Sequence, residues 1–161
     1  MRIEFLDRHA GLVPTLACWH HAEWGHLYSH WTLEVAAREL ADHATRRTLP
    51  TTLVMVEQGA PLGSVSLVLE DAPELCEHGS PWLASLYVRP EAAAARLGAR
   101  LVRAAVAHAA SLGVDELFLF TPRHADFYAR LGWRPLARTA LLGTPVDLMC
   151  IVPRATEHAA A

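Results

Sequence analysis

The chemistry-bearing residues fall into three groups along the chain. The first is the run Phe127-Tyr128-Ala129-Arg130-Leu131-Gly132-Trp133, a tyrosine just ahead of a Leu-Gly-aromatic turn. A phenol is protonated at neutral pH and can donate a proton. It can equally be a core ring beside Phe127 with its hydroxyl bonded to backbone. The second is a helix opening after Pro90, with Arg96 and Arg100 near its start. Unpaired N–H groups at a helix N-terminus and the helix dipole both favour an anion there. The third is the cluster His20, His21, His26 and His30. On one helix, His26 and His30 would stand at i, i+4 and could share a zinc ion. No third ligand is evident, and Trp19, Trp24, Tyr28 and Trp31 interleave with them. An aromatic wall is expected, and no metal. Neither a Gly-x-Ser-x-Gly elbow nor a GxxxxGK[ST] phosphate loop occurs.

These groups need elements to hold them. Ile3 to Leu6 alternates weakly and predicts a first strand. Gly11 to Trp24 places Leu12, Leu16 and Trp19 at helical spacing. Thr32 reads as an N-cap for a second helix whose face carries Val35, Ala36, Leu40 and His43. TTLVMVE and the segment from Leu62 to Leu69 predict a hairpin about Gln58-Gly59. Asp71 to Ser80 predicts a loop, and Leu83 to Val88 a fourth strand. The long helix after Pro90 has Leu97, Leu101, Ala105 and Ala109 on one face and Gly113 as its stop. Val114 to Phe120 is apolar almost throughout, as a strand buried on both faces would be. A short helix over Pro122 to Leu131 and two closing strands about Gly143 complete the chain. One α/β (α+β) domain over residues 1–161 is expected.

Composition excludes several classes. Of the 161 residues, 52% are hydrophobic and 19% charged, with a net charge of −3. That is globular composition, without the basic face that nucleic acid needs. Three scattered cysteines, Cys18, Cys76 and Cys150, form no CxxC pair and suit reduced thiols. The charged N-terminus does not read as a signal peptide, and no segment is long and apolar enough for a span. A cytoplasmic protein is expected.

The order strand, helix, strand, short helix from Pro81 to Trp133 resembles the Gcn5-related N-acetyltransferase (GNAT) family, over roughly Leu53 to Trp133. The resemblance implies a mixed, mostly antiparallel, splayed sheet flanked by helices. It implies an acetyl-CoA-dependent N-acetyltransferase, a cytoplasmic acyltransferase acting on a small-molecule or peptide amine, with a homodimer as an allowed assembly. The backbone of Leu86, Tyr87 and Val88 would hold the pantetheine arm. The pyrophosphate would lie on the turn that the family writes Arg/Gln-x-x-Gly-x-Gly/Ala. Here that turn is Ala93, Ala94, Ala95, Arg96, Leu97 and Gly98, followed by Ala99 and Arg100. Only Gly98 matches, so weaker cofactor binding is expected. Tyr128 would protonate the leaving thiolate, and Thr121 stands where the family often has Asn. Asp71 is the candidate base, and Glu23, Trp24 and His26 are candidates for the acceptor pocket. The alternative is a GNAT-like module that binds a ligand or partner without catalysis.

Overall fold

The computed structural model describes residues 1–92 and 94–154, with the backbone alone described for Ala94 and Ala95. Its strands are β1 (Arg2–Phe5), β2 (Thr51–Glu57), β3 (Ala60–Val68), β4 (Trp82–Val88), β5 (Leu117–Thr121), β6 (Arg134–Leu141) and β7 (Thr144–Ile151). The helices are α1 (Val13–Trp24), α2 (Leu33–His43), α3 (Ala94–Ser111) and α4 (Ala125–Arg130). Among the described residues the seven strands form one open sheet in the order β1-β2-β3-β4-β5-β7-β6. β4 and β5 pair in parallel at Trp82↔Phe118, while β1–β2, β2–β3, β5–β7 and β6–β7 are antiparallel. Helices flank this mostly antiparallel sheet, as expected.

The chain divides into two compact units. The first comprises Met1–Leu67 and Ser85–Val102. Its core joins Leu6, Val13, Leu16, Ala17, Ala36, Leu40, Val54 and Val56. The Thr32 hydroxyl accepts from Val35 N–H at 3.2 Å, the cap that starts α2. β2 is buried on both faces, including Thr51 and Thr52. Buried hydroxyls must be satisfied. Thr51 donates to the Arg46 carbonyl at 2.8 Å, and Thr52 bonds Ser66 at 2.8 Å. Gln58 and Gly59 turn the hairpin with φ of 50° and 77°, the left-handed pair of a type I′ turn.

The second unit comprises residues 68–84 and those from Arg103 onward. Ala72, Leu75, Trp82, Phe118, Leu141, Val146, Leu148 and Cys150 form its core. The expected loop from Asp71 to Ser80 holds a 3₁₀ helix over Pro73–His78, wound because Leu75 is buried from it. Gly113 ends α3 at φ 78°, with Gly113 N–H bonded to Ala110 O and Val114 N–H to Ala109 O. That is a Schellman motif. It occupies Val114, so β5 begins later than the apolar run suggested. Trp82 enters β4 with its indole N–H on the Gly79 carbonyl at 2.9 Å and its ring 5.7 Å from that of Phe118. A Cβ on Gly79 would collide with the Phe118 ring. Pro81-Trp82 is therefore strand-entry packing.

Candidate active site

β4 carries a break in its pleat. Ser85 sits at φ 55°, unusual for a residue other than glycine. Leu86, Tyr87 and Val88 follow, all half-buried. β3 approaches this stretch closely: a Cβ on Gly63 would lie 2.6 Å from the Tyr87 carbonyl oxygen. Gly63 is required there by space alone. The Arg89 N–H donates to Leu62 O at 2.9 Å.

α3 opens at Ala94, so Arg96, Leu97 and Gly98 belong to its first turns. Ala93 lies outside the described residues. Arg96 and Arg100 are exposed, whereas Leu97 and Gly98 are buried and Ala99 is half-buried. Leu97 therefore offers an anion its backbone only. An open groove of about 440 Å³ runs beside this helix start, lined by Met1, Glu57, Leu62, Arg89, Glu91, Ala92, Arg96 and Leu97. The Arg89 guanidinium pairs with Glu91 at 3.3 Å.

A buried polar seam lies in the same unit. The His20 Nε2 is 3.0 Å from Ser64 Oγ, and His43 Nδ1 is 2.9 Å from Thr52 Oγ1, which in turn meets Ser66. His20 is only 3% exposed. Burial pushes its pKa down to about 4, with the His43 charge adding to the effect. Burial lowers His43 as well, against the attraction of Asp42. Around His20 stand Trp24, at 5.3 Å between ring centroids, and Tyr87, at 6.3 Å. Trp19 lies 5.3 Å from Tyr87, and Trp24 meets it edge-on at 6.3 Å. The aromatic wall thus gathers about Tyr87. Trp24, an expected pocket residue, belongs to it, whereas Glu23 and His26 are exposed. Trp31 does not: its indole donates to Glu39.

The zinc-like spacing of His26 and His30 is overturned. α1 ends at Trp24, Gly25–Leu27 is a 3₁₀ turn, and Tyr28 is extended, so the two histidines share no helical face. A Cβ on Gly25 would stand 2.7 Å from the His21 ring, which would have to swing aside. Among the described residues no group of three or more His, Cys, Asp or Glu is placed to hold a metal.

Tyr128 lies in the second unit, 8% exposed, between the rings of Phe127 at 5.0 Å and Trp133 at 6.0 Å. Burial pushes its pKa up to about 12, and the negative charge of Asp71 pushes the same way. The two expected catalytic residues are therefore within electrostatic reach of each other. The Trp133 indole N–H is buried with no partner among the described residues. Thr121, in the position expected to hold Asn, accepts from the His124 N–H at 3.0 Å and fixes the entry to α4.

A family model described as the acetyltransferase (GNAT) family matches residues 14–133, well over half of the chain. The chain belongs to the GNAT family. A comparison with curated proteins found no match. Among solved structures, an aminoglycoside 6′-N-acetyltransferase complexed with coenzyme A is similar at 16% identity, covering 96% of this chain and 98% of that one, with TM-score 0.75. A Salmonella typhimurium protein with its cofactor acetyl-CoA is 19% identical, with coverage of 99% and 96% and TM-score 0.70. A ribosomal-protein-alanine N-acetyltransferase from Brucella melitensis is 17% identical, with coverage of 94% and 99% and TM-score 0.72. At these identities the likeness is one of GNAT fold.

The GNAT resemblance in the sequence did not single out His20, Ser64, Trp19 or Arg89. One signal for the seam was present. In Ser64-Val65-Ser66-Leu67 the hydroxyls alternate with apolar residues, so one face of this buried stretch of β3 is polar and must meet polar partners.

Proposed function

We propose that this GNAT chain transfers an acetyl group from acetyl-CoA to a primary amine by direct attack in a ternary complex. The family match across β4, α3, β5 and α4 carries the reading. The neutral amine nitrogen bonds to the thioester carbonyl carbon, the C–S bond breaks, and the amine proton passes to a base. Backbone N–H groups of β4 polarise the carbonyl. The backbone N–H groups of the first turn of α3 take the pyrophosphate, with Arg100 one turn further along. We place the reaction in the cytoplasm, with a small-molecule or peptide amine as acceptor.

In this proposal Tyr128 serves the departing sulfur. With its pKa near 12 the phenol is fully protonated at neutral pH. Full transfer to a free thiolate of pKa ~8.5 would be uphill by about 5 kcal/mol. The phenol therefore acts first as a hydrogen-bond donor to sulfur, and transfers its proton to a thiolate made more basic by the same desolvation. Asp71 couples to it. A proton gained by Asp71 from the amine removes the charge that opposes Tyr128 ionisation, so the base step eases the acid step.

The runner-up reading, binding without turnover, is favoured by one observation: Ala93 and Arg96 stand where the family writes Arg/Gln and Gly. Acetyl-CoA affinity, read by thermal denaturation, separates the two. Acetyl-CoA at about 100 times its dissociation constant should add ~2.7 kcal/mol of stability. No melting shift and no calorimetric heat at millimolar acetyl-CoA would sink the transfer reading and leave the runner-up. Binding without thiol release across a panel of amines would leave the runner-up. The double change Ala93→Arg with Arg96→Gly should tighten acetyl-CoA by roughly 10- to 100-fold, one charge-assisted hydrogen bond, and less at high salt. Equal or weaker binding would make Arg96 the existing phosphate ligand.

A further inference from the structure

We infer that the Trp19–Trp24–Tyr87 cluster is a subsite for an organic cation, and that the acceptor is consequently a di- or polyamine. The inference rests on the acetyl-transfer reading for its substrate and on the cluster alone for its binding chemistry. All three rings are half-buried, so part of their surface meets solvent. Their arrangement is not a simple stack: Trp19 is tilted 31° to Tyr87, and Trp24 stands at 82° to it. Both tryptophans thus pack on Tyr87, and the π-faces of Trp and Tyr that remain open to solvent attract cations.

Three further observations fit a positive guest. The cluster already engages a cation of its own chain, since the Arg89 guanidinium carbon lies 5.8 Å over the Trp19 ring. Glu23 stands one helical turn after Trp19 on the same face of α1, and its side chain is exposed. His20, packed against both Trp24 and Tyr87, is held by Ser64 and stays neutral down to about pH 4, so it does not repel a cation. The groups packed about His20 are the Ser64 hydroxyl, the His43 ring and these aromatic faces.

The chemistry then restricts the acceptor. A cation–π site stabilises the ammonium form of what it holds. The attacking nitrogen must be neutral. The nitrogen held at the cluster is therefore not the one acetylated, and the acceptor carries a second, charged nitrogen. Arg89 is the internal competitor that such a guest displaces.

Tetramethylammonium is the probe, titrated without acetyl-CoA at constant ionic strength against neutral 2,2-dimethylpropan-1-ol. The expected result is a saturable upfield shift of the tetramethylammonium methyl resonance with a matching change in tryptophan fluorescence, and weaker binding of the alcohol. Trp19→Leu should weaken tetramethylammonium about 2- to 30-fold, the range of one cation–π contact. Trp19→Phe should retain part of the affinity. Arg89→Gln should tighten it, and this arm stands even if Trp19→Leu does not fold. Equal binding of alcohol and cation, or no tightening in Arg89→Gln, would overturn the inference. In turnover, 1,5-diaminopentane should exceed n-pentylamine in kcat/KM, and parity would also overturn it. Failure of acetyl-CoA to bind would strike the transfer reading and leave the tetramethylammonium arms standing.

Discussion

His20 and Tyr128 are both buried titratable rings, and burial acts on them in opposite directions. It drives His20 down to about 4 and Tyr128 up to about 12. The cause is one: low-dielectric surroundings disfavour the charged form, which is imidazolium in one case and phenolate in the other. Their neighbours differ. His20 has a fixed hydroxyl partner and a second histidine close by, whereas Tyr128 has aromatic edges and the field of a carboxylate. The histidine is built to stay a neutral, oriented ring. The tyrosine is built to keep its proton until something nearby changes charge.

The largest test of that contrast is Tyr128→Phe. If the phenol serves the leaving sulfur, turnover should fall by roughly 10²-fold or more, with acetyl-CoA affinity nearly unchanged. Wild-type turnover would reduce Tyr128 to a packing ring, and the comparison would lose its functional half.

The next effect is on stability against pH. The unfolded His20 binds a proton near pH 6.5 and the folded one near 4. Between those values the unfolded state holds more protons, so stability falls as pH drops through this window. The loss is about 3 kcal/mol, added to by His43 in the same direction. Tyr128 mirrors it: its folded pKa lies above its unfolded one, so its contribution is intact below pH 10 and is lost as pH rises toward 12. Denaturant midpoints across pH would trace both limbs. His20→Gln should flatten the acid limb and Tyr128→Phe the alkaline one. An acid limb unchanged in His20→Gln would mean that His20 is not the buried neutral ring described.

The smallest effect is that of Asp71→Asn, which removes the second cause of the Tyr128 shift and leaves the first. The tyrosinate absorbance should titrate at lower pH than in the parent, yet still above the ordinary value of 10. A titration that did not move would detach Asp71 from the phenol and from the proposed proton coupling.

Local pattern revealed much of this architecture. TTLVMVE became β2 residue for residue, and Thr32 and Gly113 mark a start and a stop as their chemistry requires. Helix spacing did not survive Gly25, where the chain tightens and separates His26 from His30. The polar seam was beyond local reading, because His20 and Ser64 lie 44 residues apart and only the packing of α1 on the sheet joins them. Ser85 in a left-handed conformation was equally hidden, since serine carries no glycine-like signal for it. At the α3 entry, the sequence displayed both the missing motif residues and Leu97 on the apolar face that the fold buries.

The two-residue turn at Gln58-Gly59 has a reach beyond its own hairpin. It fixes which residues of β3 sit opposite β2, pairing Thr52 with Ser66 and Val54 with Ser64. Side chains alternate along a strand with a period of two. Adding one residue to the connection while the two-residue turn is kept would slide the β3 sequence by one position and turn it by half a period. Gly63 would then stand where Ser64 meets His20 and Val65 where Ser66 meets Thr52, and the serines would be turned toward the opposite apolar layer. Together with the bulge between Met55 and Val56, the turn is therefore the phase-setter of the seam: surface residues without chemistry of their own decide whether His20 meets a hydroxyl.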